Sequence, residues 1–429
     1  MALKFYNSMS RSLEEFVPIN DKEVRMYTCG PTIYDFAHIG NFRAYTFEDL
    51  LRRYLKFRGY KVTQVMNITD IDDKTIRDSQ KAGVKLSDYT QQYRDAFFAD
   101  LDALNIERAE HYPDATAHIP EMVEIIKKLL DNGFAYRSGD DIYFSIEKFP
   151  QYGKLAHMDL SCLQVGASER VASDEYEKEQ ACDFALWKGW DEGDGDVFWE
   201  TEIGKGRPGW HIECSAMSRK YLGDHFDIHT GGVDNMFPHH ENEIAQSVCA
   251  TGTKFVNYWL HCAYLIVEGK KMSKSLGNFY KLRDLLDKGY PAVAVRYLLL
   301  STHYRAQLNF TLDGLEASKN AIQRLRDCYD NLHTFDADVD AGKVDKQIQT
   351  VRDKFVEAMD DDLNISEGLA AIFDFIRDVN RIASGDGVCK EDAEKVIATL
   401  DGFDSVLGVI KYEKASLDDE VEALIAQRN

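Results

Sequence analysis

The chain reads as an α/β protein: a parallel-sheet domain, split by an α+β insertion and followed by an all-α helical bundle. Three patterns carry this reading. A strand, a helix and a second strand follow one another within ~40 residues near the N-terminus. The pattern changes character between about 110 and 205, after which strand-like runs resume. From about 315 onward only helical periodicity remains.

Glu23–Cys29 is strand-like and is broken by Gly30-Pro31. From Asn41 the spacing turns helical, with Phe47, Leu50, Leu51, Tyr54 and Leu55 three and four residues apart, and Gly59 closes that helix. Lys61–Met66 is a second, Val-bearing strand. A βαβ unit of this kind predicts a Rossmann-type parallel sheet whose ligands bind beyond the carboxyl ends of the strands. Cys29, Gly30, His38 and Thr69 are then expected on one rim. The insertion carries a helix-like stretch over residues 119–132, short strand-like pieces, and an acidic, Gly-bearing segment at Asp191–Asp196. Strands are expected again at Phe226–His229 and Asn257–Val267. Farther on, Leu369, Ile372, Phe373, Ile376, Val379 and Ile382 share one helical face, behind Asn364 or Ser366 as cap. The expected domains are 1–110 with 205–265 (catalytic), 111–204 (insertion), 266–315 (a linking domain), 316–411 (bundle) and 412–429 (the start of a further region).

The 429 residues imply several domains, and 44% hydrophobic content is globular. No apolar run approaches the ~20 residues of a membrane helix, and the first residues lack signal-peptide character, so a cytosolic protein is expected. Eight cysteines in such a chain stay reduced there. Cys162, Cys182, Cys249, Cys262, Cys328 and Cys389 read as plain thiols. A net charge of −22 argues mildly against nucleic-acid binding, although a local basic groove is compatible with it.

The most metal-like segment is His239-His240-Glu241-Asn242-Glu243, where a helix would bring His239 and Glu243 to one face. It lacks H-E-x-x-H, which disfavours a metalloprotease. Cys29 and Cys214 could complete a zinc set, or could be buried thiols beside a solvated helix face. Lys271-Met272-Ser273-Lys274-Ser275 puts two ammonium groups and two hydroxyls on a loop suited to polyphosphate, or simply to solvent. No G-x-x-x-x-G-K-[ST] loop is present. His38 and Asn41 stand at a helix start, where phosphate is favoured and where a capping histidine is equally at home. Gly231-Gly232-Val233-Asp234 offers close backbone approach and a carboxylate for ribose, or an ordinary turn. Trp210 could wall a small pocket or pack a core.

His38-Ile39-Gly40-Asn41 and Lys271–Ser275 resemble the two signatures of class I aminoacyl-tRNA synthetases. Tyr27–Asp35, Asn67–Lys74, Gly209–Met217, Gly231–Glu243 and Ala358–Asn364 resemble cysteinyl-tRNA synthetases in particular, and the likeness covers nearly the whole chain. The resemblance implies a zinc ion held by Cys29, Cys214, His239 and Glu243, with Glu243 the looser ligand. It implies that Gly30, Thr69 and Trp210 border the cysteine pocket. ATP, with Mg2+, would be served by His38, Gly40, Asn41, Asp234, Lys271 and Lys274, of which His38, Asn41, Lys271 and Lys274 would be catalytic. L-cysteine, ATP and tRNA(Cys) would be the partners of a monomeric enzyme. A metal makes physical sense, because ordinary contacts separate near-isosteres only ~10–200-fold, whereas zinc selects thiolate by bond chemistry.

Two departures stand out. The first signature of the family usually ends in histidine, here Asn41, which can still form hydrogen bonds. The family also continues beyond Val421–Ile425 into a small anticodon-reading domain, whereas the sequence stops at Asn429, which predicts weakened tRNA affinity. The rival reading is a related ATP-dependent ligase that joins cysteine to a small amine. A non-catalytic RNA-binding or partner-binding paralogue is disfavoured by the intact Lys271–Ser275 loop.

Overall fold

The computed structural model describes residues 2–158 and 183–411; Cys162, Cys182 and Val421–Ile425 lie outside the described residues. Its central sheet has four parallel strands: β1 (Glu23–Thr28), β2 (Lys61–Met66), β3 (Phe226–Gly232) and β4 (Val256–Cys262). They lie in the order β4-β3-β1-β2. Helix α1 (Ile39–Phe57) joins β1 to β2, α2 (Trp210–Leu222) precedes β3, and α3 (Glu241–Thr251) joins β3 to β4. The chain therefore runs outward in both directions from the central pair β1 and β3. A crevice opens at their carboxyl ends, the switch point where ligands bind in open α/β sheets.

The last three residues of both β1 and β2 are buried, as expected of strands covered on both faces. Helix α1 begins at Ile39, two residues before the expected start, because His38 is its N-cap. Gly59 follows the helix in the left-handed region, at φ +86°. The strand expected over 257–267 is two strands. Residues Val256–Cys262 belong to the central sheet, whereas Leu265–Val267 pairs with Leu308–Phe310 and Lys270–Lys271 in a separate sheet. At the break the Ala263 N–H donates to the Tyr304 carbonyl at 2.8 Å, which turns the chain out of the first sheet.

The insertion contains helix Ile119–Asp131 and a five-stranded antiparallel sheet. Its strand Gly204–Pro208 runs past the expected 204 edge and passes directly into α2. The C-terminal part consists of helices Leu312–Leu332, Asp345–Asp360, Ile365–Gly385 and Lys390–Leu407. In the third of these, Asn364 caps the N-terminus by accepting the Glu367 N–H, while Ser366 donates to the Ser301 carbonyl instead. Ala371 and Phe375 join the buried face, and Phe373 and Ile382 are half-buried. Among the described residues no helix is long and apolar enough to cross a membrane.

One hydrophobic core runs without interruption from the α1 side of the sheet into the bundle. Buried charge ties the two together. The Asp49 carboxylate on α1 accepts from Arg53 Nε at 2.8 Å and from Arg296 Nη2 at 2.6 Å. Arg296 also donates to the carbonyls of Leu104 and Leu407, the latter at the end of the last bundle helix.

Candidate functional site

Cys29 directly follows β1, and its N–H reaches across to Thr230 of β3. Cys214 is in the second turn of α2, His239 lies in the turn Met236–His240, and Glu243 is in the first turn of α3. Elements far apart in sequence thus bring one sulfur, nitrogen or oxygen atom each from Cys29, Cys214, His239 and Glu243 within 4.8 Å of one another. His239 Nε2 is 3.2 Å from Glu243 Oε1, while its Nδ1 faces His211 Nδ1 at 2.9 Å. The Trp210 ring lies against His239, with centroids 4.4 Å apart.

Burial favours the neutral forms of the two thiols and of His239. A hydrogen bond with Cys214, followed by burial, holds the Cys29 thiol well above its ordinary range, and burial raises Cys214 as well. Burial lowers His239 to about 3, so its imidazole is neutral, the form that ligates metal. Glu243 Oε1 is buried and accepts no hydrogen bond, a costly state that a cation would relieve. These four residues therefore fit a metal ion. A second set, Cys29, His229, His240 and Glu243, is equally compact. Within it, His229 Nε2 meets Glu243 Oε2 at 2.9 Å and His240 Nε2 meets Cys29 Sγ at 3.2 Å. His240 Nδ1 in turn meets His261 Nε2 at 2.8 Å. Sequence reasoning missed His229 and His261, and it placed His240 in the metal-like segment without assigning it a role. The available signal was Asp227-Ile228-His229-Thr230, polar side chains in a strand that both of its neighbours cover.

Beside the cluster, Gly30 and Thr69 are joined through Asn67. The Gly30 N–H donates to Asn67 Oδ1 at 2.9 Å, Asn67 Nδ2 donates to Thr69 Oγ1 at 3.1 Å, and Thr69 Oγ1 donates to Glu213 Oε2 at 2.9 Å. A Cβ at Gly30 would stand 1.8 Å from the Asn67 carbonyl oxygen, so only glycine lets these two strand ends meet. Asn67 and Glu213 were not singled out from sequence.

On the other side of the crevice His38 and Asn41 form a reciprocal cap. Asn41 N–H donates to His38 Nδ1 at 3.3 Å, and His38 N–H donates to Asn41 Oδ1 at 3.0 Å. Asparagine at this position thus closes a capping box, a role that the three-residue spacing could have revealed. The Lys271–Ser275 loop passes over this helix start, since a Cβ at Gly40 would meet the Met272 methyl at 3.3 Å. Tyr280 secures the approach by accepting the Ile39 N–H at 3.0 Å. Inside the loop Ser273 N–H donates to Asn278 Oδ1, and Asn278 Nδ2 donates to the Lys271 carbonyl. Lys271 is exposed on a two-residue strand, and Lys274 opens the short turn Lys274–Leu276, its side chain lying outside the described part. Asp234 is exposed in the turn beyond β3, where a Cβ at Gly232 would stand 2.4 Å from its Oδ1.

Residues 15–320 match the sequence model of the tRNA synthetases class I (C) catalytic domain, and residues 354–411 match that of the DALR domain. A cysteine–tRNA ligase of Protochlamydia amoebophila (strain UWE25) is 53% identical over 430 residues, spanning 99% of this chain and 90% of the relative. The cysteine–tRNA ligase of Brachyspira hyodysenteriae (strain ATCC 49526 / WA1) is 51% identical, spanning 99% and 91%. That of Chlamydia muridarum (strain MoPn / Nigg) is 50% identical, spanning 100% and 92%. The chain belongs to the cysteine–tRNA ligase family.

Solved structures agree at the level of the fold. Methionyl-tRNA synthetase of Mycobacterium tuberculosis, bound by methionyl-adenylate, superposes with a TM-score of 0.64 at 13% identity, covering 90% of this chain and 92% of that one. A leucyl enzyme, Agrobacterium radiobacter K84 agnB2 LeuRS, from a ternary complex, gives 0.65 at 12% identity, covering 92% and 85%. A parallel-sheet catalytic core with a helical bundle behind it is thus shared by this cysteine–tRNA ligase and synthetases of very different sequence.

Proposed function

We propose that this chain is a cysteine–tRNA ligase that activates L-cysteine with Mg-ATP and then esterifies the terminal adenosine of tRNA(Cys), with zinc reading the substrate thiol. The observation that carries the reading is the convergence of Cys29, Cys214, His239 and Glu243 at the switch point between β1 and β3. Two thiols with an imidazole and a carboxyl make a set for zinc rather than for a hard cation. Zinc, when bound there, supplies a Lewis-acid seat that takes cysteine as thiolate and leaves serine behind.

The residues of the chain do the rest. His229, through its contact with Glu243, and His211, through its contact with His239, orient two of the ligands. Trp210 and Thr69 border the amino acid, and Gly30 allows the strand ends to close behind it. In the first step the cysteine carboxylate attacks the α-phosphorus of ATP, and the bond to the bridging oxygen breaks to release pyrophosphate. The start of α1 with His38 and Asn41, together with Lys271 and Lys274 on the loop above it, holds the phosphates and stabilises the charge that moves onto the leaving group. Asp234 on the rim serves the nucleotide. In the second step a ribose hydroxyl of the terminal adenosine attacks the carbonyl of the cysteinyl-adenylate, and AMP departs.

The test is ATP–pyrophosphate exchange by the purified chain with cysteine and with serine, alongside its metal content. Cysteine-dependent exchange is expected, with about one zinc per chain and no response to serine. Cys214→Ser is expected to lose both the zinc and the exchange while keeping its far-UV spectrum. Full cysteine-over-serine selectivity in the metal-free variant would refute the assignment. Charging of tRNA(Cys), but not of small amines, separates this reading from that of an amine ligase.

A further inference from the structure

We propose that Asn278 is a positioning residue whose side-chain amide holds the Lys271–Ser275 loop folded over the start of α1, ready for the polyphosphate of ATP. The proposal rests on the reading of that loop as phosphate-binding and assigns what sets its shape.

The flanks of the loop are anchored without Asn278. Upstream, Leu265–Val267 pairs with Leu308–Phe310, the Glu268 N–H donates to the Phe310 carbonyl at 3.0 Å, and the Gly269 N–H donates to Asn309 Oδ1 at 2.8 Å. Downstream, the Tyr280 carbonyl accepts the Ile39 N–H, Lys281 forms a β-bridge with His38, and Lys281 Nζ donates to Asp35 Oδ1 at 3.0 Å. Ladder pairing on the upstream side ends at Lys271. Residues 272–277 then cross from one flank to the other, and Asn278 stands at the neck. Its Oδ1 accepts the Ser273 N–H at 2.9 Å, and its Nδ2 donates to the carbonyls of Lys271 at 3.2 Å and Val267 at 3.4 Å. One side chain thus ties the downstream flank to three backbone points on the other side.

Those points are the ones that steer the loop. Met272, between Lys271 and Ser273, is the residue that packs toward Gly40 at the start of α1. The hold on Ser273 also passes to Lys274, because the Ser273 carbonyl accepts the Leu276 N–H at 3.2 Å and so closes the turn Lys274–Leu276. Leu276 is 59% exposed, and Ser275 and Gly277 are exposed as well, so the tip gains little from apolar packing. The brace calls for an amide in particular. The Ser273 N–H needs an acceptor and the two carbonyls need a donor, so a carboxylate meets half of this demand and a methyl group none of it.

Charge that moves onto pyrophosphate is met at once only by ammonium groups already in place, so loosening the brace acts on the chemical step. The experiment uses the full chain with zinc bound and the variants Asn278→Ala and Asn278→Asp. In Asn278→Ala the lost hydrogen bonds are expected to lower the kcat of cysteine-dependent ATP–pyrophosphate exchange about 10- to 100-fold, with the KM for cysteine within about twofold of wild type. Asn278→Asp keeps the acceptor, loses the donor, and is expected to fall between the two. Trypsin reads the shape of the loop apart from catalysis. Without ATP, cleavage after Lys271 or Lys274 should be several-fold faster in Asn278→Ala than in wild type, with no new cut elsewhere. An unchanged or raised kcat, a loss confined to the KM for cysteine, or equal cleavage rates would overturn the proposal. If Asn278→Ala fails to fold, Asn278→Asp decides by the same comparison. A wild-type chain with no cysteine-dependent exchange would instead overturn the reading of the loop, and this proposal with it.

Discussion

Glu48, on α1 beneath the crevice, receives a hydrogen bond from Thr230 Oγ1 at 2.8 Å on one oxygen, while the other oxygen is buried without a partner. Burial raises its carboxyl to about 8, against the lowering effect of Thr230. The folded protein therefore holds a proton that the unfolded chain releases near ~4.3. The resulting stability is complete below that lower value, falls as pH rises, and is gone once the pH has passed about 8. Glu48→Gln keeps the shape and removes the titration. Urea midpoints measured from pH 5 to 9 are expected to fall less steeply in the variant than in wild type, and parallel curves would contradict the assignment. Single residues of this kind are hard to read from sequence. Glu48 lies in an ordinary amphipathic helix, and only the placement of Thr230 opposite it makes it unusual. The same holds for Glu213, whose partner Thr69 belongs to a distant strand end. Cys29 and Cys214 became ligands on paper through the resemblance of their surrounding words, because spacing alone left them as two thiols among eight.

At the scale of elements, α1 links the crevice to the bundle. Its first turn carries the His38–Asn41 cap, and farther along Asp49 is held between Arg53 and Arg296. Burial pushes the Asp49 carboxyl up, but the two guanidinium groups outweigh it and leave it below the usual range. Its contribution is present above the unfolded carboxylate value and is lost as pH falls through the lower folded one. Asp49→Ala leaves Arg296 buried without a counter-charge, and the expected loss is about 3 kcal/mol, measured as a shift in the urea midpoint; a loss within error of zero would mean that the backbone carbonyls satisfy Arg296 unaided. β1, α1 and β2 were legible because the strand-like runs, the helical spacing and the breakers Gly30-Pro31 and Gly59 all agreed. The split after Cys262 was not, because an unbroken apolar run conceals where a chain changes sheets, and only the Ala263–Tyr304 bond marks it.

For the whole molecule, the net charge of −22 gave little guidance to a polyanion-binding function, because a sum over the chain does not locate the cationic side chains. The long-range topology is more informative. The entire five-stranded insertion lies between Cys29 and Cys214, so the four proposed ligands come from segments that meet only after β1 and β3 have paired. No partial fold of either half contains the complete set. Capture of an ion by this set is therefore expected to mark the end of folding, since a coordination shell assembled from remote segments waits for the slowest loop closure. Refolding with cobalt(II) as a coloured stand-in makes this visible. Its thiolate absorption should rise with the last kinetic phase, after most far-UV signal has returned, and colour that develops ahead of the sheet would mean that a local fragment can take the ion by itself.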